Sequence, residues 1–315
     1  MAGPNTIAES LPTWISERIA PLAVLAAALA LLVPSTDVAR RSDLLLAALV
    51  LFTALGIEPR RLLTLRRRPA ALLMLSIAPI LVLTAIAWVL GRAFAQPTRD
   101  GVLALGLSSS EVASVGMVAL AAGDAVLALG VLTGSLIAAA VLGPALATVL
   151  AHSTGEASGT ALLGRFALVV LLPLVVGLGA RLRLARLGAA QPALGALSTL
   201  AVCALVYAAL SGLKHAHHLG PAVVGSLAFL SLSGLVALLA MRLARHLDPP
   251  AVALPVGMRD FAVAAALATA AFGPAAAPTA GVYGVFMLVL GAGATSVLRR
   301  RTGDRASADR RQDHA

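Results

Sequence analysis

The sequence has few charged residues, few aromatic residues and almost no cysteine. Of its 315 residues, 12% are charged and 3% are aromatic, whereas 59% are hydrophobic. The mean hydropathy is +0.94. Soluble domains carry about 25% charged residues. The composition therefore excludes an ordinary soluble domain and predicts a polytopic membrane protein.

The single cysteine and the positions of the basic residues exclude two further classes. Cys203 lies in an apolar run, so no disulfide framework exists, and a small core side chain is the expected role. The net charge is +10, but the arginines collect between apolar segments and no aromatic-studded basic face accompanies them. We therefore expect no nucleic-acid partner. We expect the chain to be embedded in the lipid bilayer.

Ten apolar runs have the composition of membrane-spanning helices, for which about 17 to 25 residues suffice. They predict an all-α fold with a ten-helix domain at 19–298, preceded by an N-terminal segment at 1–18. A disordered basic tail is expected at 299–315. The domain divides into halves at about 19–151 and 160–298. The predicted spans are 19–34, 43–57, 69–91, 101–121, 126–151, 160–180, 193–212, 219–241, 252–272 and 279–298.

The basic residues also predict how the chain is oriented. With the N-terminus inside, the inner segments hold 17 basic residues and the outer segments hold 6. Because arginine and lysine accumulate on the cytoplasmic side, both termini are expected there. Lys214 is the single lysine beside 23 arginines, and alanine is abundant, which indicates a GC-rich bacterial genome. The expected location is the cytoplasmic (inner) membrane.

Two predicted spans contain unusual polar residues, and they occupy fourth place in each half. Paired interruptions at corresponding places in two halves are typical of a transporter built from inverted repeats, with its site at the interruptions. The fourth and ninth spans thus predict a five-plus-five repeat and a central binding site. The candidate substrate-binding residues are Ser108, Ser109, Ser110, Glu111, Ser114, Gly257, Arg259 and Asp260.

The ninth span is expected to unwind at Pro255 and Gly257, because proline removes a helical donor and glycine tolerates open dihedrals. The helix N-terminus beyond this break and the fork of donors on Arg259 would favour an anionic ligand. A second interpretation is equally open. Asp260, Glu111 or both would neutralise Arg259 and lock the two broken helices together.

Four other features have simpler interpretations. The serines at 108–110 either line a polar cavity or let helices cross closely, and Gly130 and Gly134 form a GxxxG packing face. Asp124 is expected to cap a helix at a tight turn. The histidine cluster at 215–218 lies in a predicted outer loop without a cysteine or a supporting carboxylate, so a metal site is not expected.

Several segments resemble the bile acid:sodium symporter family. ASVGMVALAAGDAVL at 113–127 resembles its fourth span, and PVGMRD at 255–260 resembles its ninth-span motif, usually EVGMQN. Its second-to-third-span linker is similar to residues 56–69 of this chain. Its sixth span is similar to RFALVVLLPLVVGLGARLR at 165–183. The resemblance implies ten helices in two inverted repeats, with broken helices 4 and 9 crossing in a core domain beside a panel domain. It also implies secondary transport of a small organic anion, coupled to sodium in most members.

The resemblance further implies that the sodium site is largely missing. Ser114 keeps a family ligand, and Thr133 is adjacent to a second position, so these two are the residual sodium-site candidates. We expect no cofactor. Arg259, held by Glu111 and Asp260, would replace the ion and make transport sodium-independent or coupled to a proton. The positions that depart from the family's ligands are Val115, Ala128, Leu132, Pro255, Arg259 and Asp260.

Two alternatives remain at this point. A relative that has lost transport could serve as a ligand-binding sensor. An intramembrane aspartyl protease is the other alternative, because Gly123 and Asp124 resemble part of a GxGD motif with Asp260 as the second aspartate. That motif requires glycine at position 121, where this chain has Ala121. We therefore predict a protein that is not an enzyme.

Overall fold

The structure is a computed structural model that describes residues 14–15, 18–58, 69–150, 159–184, 190–211 and 219–312. Its described part contains helices and one isolated β-bridge, but no strand. The helices are α1 Ile19–Leu32, α2 Thr36–Arg40, α3 Ser42–Gly56, α4 Pro69–Gly91, α5 Thr98–Leu107, α6 Ala113–Leu120, α7 Ala125–Leu150, α8 Gly159–Phe166, α9 Leu172–Arg183, α10 Gln191–Ser211, α11 Leu219–Leu243, α12 Pro249–Gly257, α13 Phe261–Phe272 and α14 Ala277–Gln312. A π-helical turn, Ala167–Leu171, joins α8 to α9.

These elements confirm the prediction of an all-α membrane protein. In the described ranges, six helical stretches are long and apolar enough to cross a membrane, and three apolar helices are shorter. Large apolar side chains such as Leu32, Val149 and Leu243 are exposed on the outer surface of the bundle. A lipid-facing surface explains this exposure, since apolar side chains and internally bonded helices are what a bilayer accommodates. The chain is therefore a multi-pass membrane protein.

The helices pack in two groups. In the first group, α10 packs against α1 and α3, and α3 packs against α9. In the second, α4 packs against α5 and α7, while α11 packs against α12 and α14. Helix α14 contacts both groups, because it also packs against α10 and α1. The broken helices belong to the second group, so the candidate site lies inside it.

Both predicted interruptions are present, but the second lies slightly later in the chain than expected. Pro255 and Gly257 are still part of α12, and the helix ends at Gly257. The non-helical segment is 258–260. Pro255 lies two residues before the end of α12, so the backbone bond that its missing N–H removes belongs to the last turns of the helix. A Cβ on Gly257 would lie 3.1 Å from the Ala237 Cβ, so this glycine permits close packing against α11.

Two other predictions concern segments at the edge of the described residues. The histidine cluster at 215–218 and most of the linker at 56–69 lie outside them. The predicted last span ended at 298 with a disordered tail beyond it, whereas α14 continues as one helix to Gln312. The GxxxG interpretation holds for Gly134, because a Cβ there would clash with the Ser76 Oγ on α4.

Candidate functional site

The two broken helices meet through a short antiparallel pairing of their non-helical segments. The Asp260 N–H donates to the Ser109 carbonyl at 2.8 Å, and the Glu111 N–H donates to the Met258 carbonyl at 3.0 Å. These two bonds flank Ser110 and Arg259, which form the antiparallel bridge. We call the paired segments 108–111 and 258–260 the crossover ribbon. It satisfies backbone groups that would otherwise be left unpaired at membrane depth.

The ribbon leaves two outward N–H groups, and each finds a hydroxyl on a neighbouring helix. The Ser110 N–H donates to Ser135 Oγ on α7 at 3.0 Å, and the Arg259 N–H donates to the Tyr283 hydroxyl on α14 at 3.0 Å. Because a bridge flanked by hydrogen bonds turns the N–H groups of its own two residues away from the partner strand, these donors need external acceptors. Both N–H groups are buried, and both are hydrogen-bonded to these hydroxyls.

The alternation of side chains gives the ribbon two faces. Successive residues of an extended segment point to opposite sides, so Ser110 and Arg259 share one face. Ser109, Glu111 and Asp260 share the other. We call these the arginine face and the acidic face. The only cation of the crossover is therefore directed away from its two carboxylates.

Arg259 does not form the ion pairs of the predicted lock in this structure. Arg259 is 0% exposed, and its Nε and both terminal nitrogens are without a hydrogen-bond partner. Within the described part of the chain, Arg259 forms no ion pair with Glu111 or Asp260. A buried unpaired guanidinium costs several kcal/mol, which an anionic ligand would offset. The geometry therefore supports the anion-binding interpretation of Arg259.

The two carboxylates instead face helix N-termini. Asp260 is the N-cap of α13, where its Oδ1 accepts from the Ala262 and Val263 N–H groups at 2.9 and 3.0 Å. Glu111 Oε1 accepts from the Ala113 N–H of α6 at 3.4 Å. Each N-terminus carries about half a positive charge, which a carboxylate stabilises. The half-helices are thus compensated by carboxylates of their own segments.

The hydroxyls predicted to line the site mostly bond to nearby backbone. Ser108 Oγ donates to the Leu105 carbonyl at 2.8 Å, and Ser110 Oγ donates to the Pro255 carbonyl at 2.7 Å. The second bond ties the two broken helices together. Ser109 lies directly opposite Asp260 in the ribbon, so its hydroxyl faces the Asp260 carboxylate. The predicted serine run is therefore part of the crossover.

The hydroxyls of the two residual sodium-site candidates each donate to a backbone carbonyl. Ser114 Oγ donates to the Glu111 carbonyl at 2.6 Å, and Thr133 Oγ1 donates to the Leu129 carbonyl of its own helix at 2.9 Å. Across the described ranges, no group of three or more His, Cys, Asp or Glu side chains could hold a metal ion. The hydroxyls of Ser114 and Thr133 are thus engaged with backbone oxygen.

Two cavities approach the crossover from opposite ends of the bundle. Each has a volume of about 630 Å³, within the usual range for a small-molecule site. Cavity A is lined by residues at the start of α1, the end of α3 and the start of α10, whereas cavity B is lined by residues of α2, the start of α3 and the end of α10. The defining residues are Ala20, Gly56 and Gln191 for cavity A, and Thr36, Ser42 and Ser211 for cavity B.

The crossover ribbon separates the two cavities. Cavity A reaches Val112 and Ala113, which follow the ribbon directly, and cavity B reaches Ala265, one turn into α13. Arg259 lines neither cavity in this conformation. A ligand in either cavity would therefore need a small rearrangement at the crossover to reach the guanidinium.

Four residues of the site were not identified from the sequence. Ser135 and Tyr283 accept the outward ribbon donors, and Ser233 Oγ donates to the Gly257 carbonyl at 2.9 Å. Asp248 Oδ2 accepts from the Ala251 N–H of α12 and from the Asp124 N–H. The only available signal was a tyrosine or serine in an otherwise apolar run, which by itself does not indicate a partner.

Asp124 and Asp260 lie in different environments. Asp124 is exposed, and its Oδ1 accepts from the Val126 and Leu127 N–H groups, which confirms the predicted capping role. Asp260 is 1% exposed and caps α13. A protease dyad would need two aspartates facing one catalytic space. The capping roles of these two therefore give no support to that alternative.

Comparison with known proteins identifies the type of protein. The model of the SBF-like CPA transporter family matches residues 19–289, which cover most of the chain and include the crossover ribbon and residues lining both cavities. No curated protein matches the sequence.

Proposed function

The chain belongs to the SBF-like CPA transporter family, and we propose that it carries a small organic anion by alternating access with Arg259 as the anion-binding residue. Family membership makes it a secondary transporter of the bile acid:sodium symporter type, and not an enzyme. The proposal adds the location of the site and the independence from sodium. The observation that carries it is the unpaired guanidinium of Arg259 at the crossover.

The anion site is supported by the chemistry of the arginine face. A guanidinium presents five N–H donors in a planar fork that matches a carboxylate or sulfonate. All three nitrogens of Arg259 are available, and the surrounding protein excludes water. Charge-assisted hydrogen bonds are strengthened in such a site. Ser110 lies on the same face, where its Oγ donates to the Pro255 carbonyl.

The two cavities support alternating access. They lie on either side of the crossover and open towards opposite ends of the bundle, so a small shift between the helix groups could expose the same site to either side. We place cavity A on the cytoplasmic side, because the basic residues predict both termini there in the inner membrane. Arg299 at the mouth of cavity A is consistent with this side.

The proposed architecture is the ten-helix inverted repeat. The fifth and tenth predicted spans correspond to each other in such a repeat, and each supplies one hydroxyl to the ribbon. Ser135 accepts from Ser110, and Tyr283 accepts from Arg259. These two bonds occupy equivalent places about a two-fold axis through the bridge. Their correspondence supports a repeat that the sequence indicated only through hydropathy.

Coupling without sodium follows from the same positions. Arg259 supplies a permanent positive charge at a place where relatives carry a neutral amide, and Val115, Ala128, Leu132 and Pro255 lack the side-chain oxygens that sodium would need. Transport is then either independent of a coupling ion or linked to protonation of Glu111 or Asp260. No cofactor is needed in either case.

The first experiment measures uptake of radiolabelled taurocholate into proteoliposomes, with sodium in one buffer and choline in the other. We expect the initial rates to agree within about twofold, because Arg259 carries its charge without an ion. Strict dependence on sodium would contradict the proposal. Binding of taurocholate without flux would instead identify the transport-inactive sensor. A thermal-shift screen of carboxylates and sulfonates in detergent, with and without sodium, extends the test to other anions.

The role of Arg259 in anion binding is tested by Arg259→Gln, which keeps a hydrogen-bonding side chain but removes the positive charge. We expect at least a tenfold loss of anion affinity, because a hydrogen bond to a charged group contributes about 1.5 to 3 kcal/mol. Arg92→Gln is the control, since Arg92 stacks on Trp88 at the end of α4 and lines neither cavity. Equal loss in both variants would mean that the effect is not specific to the crossover.

A further inference from the structure

Cavity B contains a buried hydroxyl that the described part of the protein leaves unpaired. Ser211 is the last residue of α10 and lies on the wall of this cavity. It is 2% exposed, and its Oγ has no hydrogen-bond partner. Buried side-chain oxygens are rarely left unpaired, so an unpaired hydroxyl on a cavity wall indicates a ligand that carries a polar group.

An arginine is held in a fixed orientation at the same cavity. Arg165 on α8 lines cavity B, and its Nε and Nη2 each lie 2.7 Å from Asp43 Oδ2. Among the described residues, nothing bonds its Nη1. Because Asp43 holds one edge of the guanidinium, part of the side-chain freedom is already lost before a ligand binds. Asp43 thus positions Arg165 and leaves the edge formed by Nη1 and Nη2 for another acceptor.

The charged side chains on the described wall of cavity B are arginines. Arg40 lines the cavity as well as Arg165, whereas their carboxylate partners Asp37 and Asp43 do not. Asp100 is a third carboxylate at this end of the bundle, and the Arg99 Nε donates to it at 3.4 Å. A cleft that is lined by charge of one sign concentrates ions of the opposite sign. The wall therefore favours an anion.

The helix ends around cavity B contribute little to this preference. The first residues of α3, α5 and α14 line the cavity, and so do residues in the last turns of α10 and α13. Each N-terminus carries about half a positive charge and each C-terminus about half a negative charge. Asp43 and Asp100 lie in the first turns of α3 and α5 and offset two of the N-termini. The arginines therefore decide the sign of the ligand.

We propose that cavity B contains an anion site of its own, in which Arg165 and Ser211 bind the carboxylate or sulfonate of the transported anion before it reaches Arg259. This inference rests on the proposed function for the identity of the ligand and for the outer side. Cavity B has a volume of about 630 Å³, so a small organic anion that fills it contacts both walls. The Nη1 and Nη2 groups of Arg165 donate to the anion's oxygens, and the Ser211 hydroxyl donates to one of them.

The site in cavity B should bind the anion more weakly than the crossover does. The Arg165 side chain is 41% exposed, whereas Arg259 is 0% exposed. Water and salt screen a partly exposed charge, and Arg165 is already shared with Asp43. A weak outer site is suited to loading, because a ligand that was held tightly there would not move on to the crossover.

Protection of a cysteine on the wall of cavity B tests this site directly. Thr269→Cys, in a background with Cys203→Ala, is labelled in intact cells by a membrane-impermeant maleimide, with and without taurocholate below its micellar concentration. We expect taurocholate at twice its dissociation constant to slow the labelling about threefold by occupying the cavity. The same protection should persist in Arg259→Gln, because the outer site does not depend on the crossover. Protection that disappears in Arg259→Gln would overturn the inference.

Arg165→Gln identifies the cation of this site. Loss of the charge should abolish the protection of Thr269→Cys by taurocholate. Arg41→Gln is the matched control, since Arg41 is exposed beside Arg40 and lines neither cavity. The Arg165–Asp43 pair is partly exposed, and such pairs contribute little to stability, so the variant should fold. Protection that survives in Arg165→Gln, or that is lost equally in Arg41→Gln, would contradict the assignment.

A binding count in the unmodified protein does not depend on the folding of any variant. Equilibrium dialysis of the purified protein against radiolabelled taurocholate, corrected for empty detergent micelles, should show two saturable sites of different affinity. Arg259→Gln should remove the tighter site and Arg165→Gln the weaker one. Arg41→Gln should keep both.

The outcomes separate the inference from the proposed function. A single site that is lost in Arg259→Gln would overturn the inference and leave the proposed function in place. A single site that is lost in Arg165→Gln and kept in Arg259→Gln would support the site in cavity B and contradict the proposed role of Arg259. Two sites, of which each variant removes one, support both. Absence of saturable taurocholate binding would contradict both.

Discussion

At the scale of single residues, the site depends on hydroxyls that complete the hydrogen bonding of the ribbon. The Ser110 N–H donates to Ser135 Oγ at 3.0 Å, and both residues are buried. Ser135 Oγ also donates to the Leu132 carbonyl of its own helix. Ser135 thus links the fourth-span break to the adjacent helix. Without it, the ribbon would carry a donor that no water can reach.

We expect Ser135→Ala to lower the free energy of unfolding by about 1 to 3 kcal/mol, because it leaves the buried Ser110 N–H unpaired. Unfolding in mixed detergent micelles, titrated with sodium dodecyl sulfate, measures the change. Ser231→Ala is the matched control, since Ser231 is exposed and donates to the Leu227 carbonyl of its own helix. Its effect should stay within about 0.5 kcal/mol. Equal losses in the two variants would contradict the assigned role of Ser135.

At the scale of elements, close contacts between helices hold the broken segments in place. Gly106 lies in the last turn before the first break, and a Cβ there would come within 2.7 Å of the Leu83 carbonyl and 2.8 Å of the Thr84 Cα on α4. These obstacles are backbone atoms, which cannot rotate away. The packing of α5 on α4 therefore determines where the ribbon begins.

Gly106→Ala should lower the free energy of unfolding by about 1 to 3 kcal/mol, because the added methyl group overpacks the α4–α5 contact. Gly179→Ala on α9 is the control, since nothing lies within 4 Å of its added Cβ. That control should be neutral or stabilising by up to about 1 kcal/mol, as expected for alanine in a helix. The same detergent titration compares them, and a smaller loss in Gly106→Ala than in the control would contradict the close approach.

At the scale of the whole molecule, the crossover lies between two cavities that open towards opposite ends of the bundle. Thr269 lines cavity B, and Ser198 lines cavity A. Under the proposed function, this arrangement would place the Arg259 site between two spaces on opposite sides of the membrane. It is the geometry that an alternating-access transporter requires.

Single cysteines test this arrangement in intact cells, in a background where Cys203→Ala removes the native thiol. A membrane-impermeant maleimide added outside should modify Thr269→Cys, because cavity B is placed on the outer side. Ser198→Cys should react only after the cytoplasmic side is exposed in inverted vesicles. The reverse pattern would show that the termini lie outside, and equal reaction of both from one side would contradict cavities at opposite ends.

The sequence by itself determined the class of the protein, because apolar runs of sufficient length form helices in a bilayer wherever they pack. It also indicated the two breaks, since polar residues such as Glu111 and Arg259 are too costly in a lipid-facing span. Capping by Asp124 was equally predictable, because it depends on neighbours along the chain.

The partners of the charged side chains depend on how the helices pack. From the sequence, Arg259 and Asp260 are adjacent and of opposite sign, so an ion pair was a reasonable expectation. In the structure, residue 259 pairs with residue 110 in an antiparallel ribbon, and the alternation of side chains directs Arg259 and Asp260 to opposite faces. Helix N–H groups bond to the carboxylates, and the guanidinium is left without a partner. The register between two segments about 150 residues apart is a property of packing, and no local pattern in the sequence specifies it.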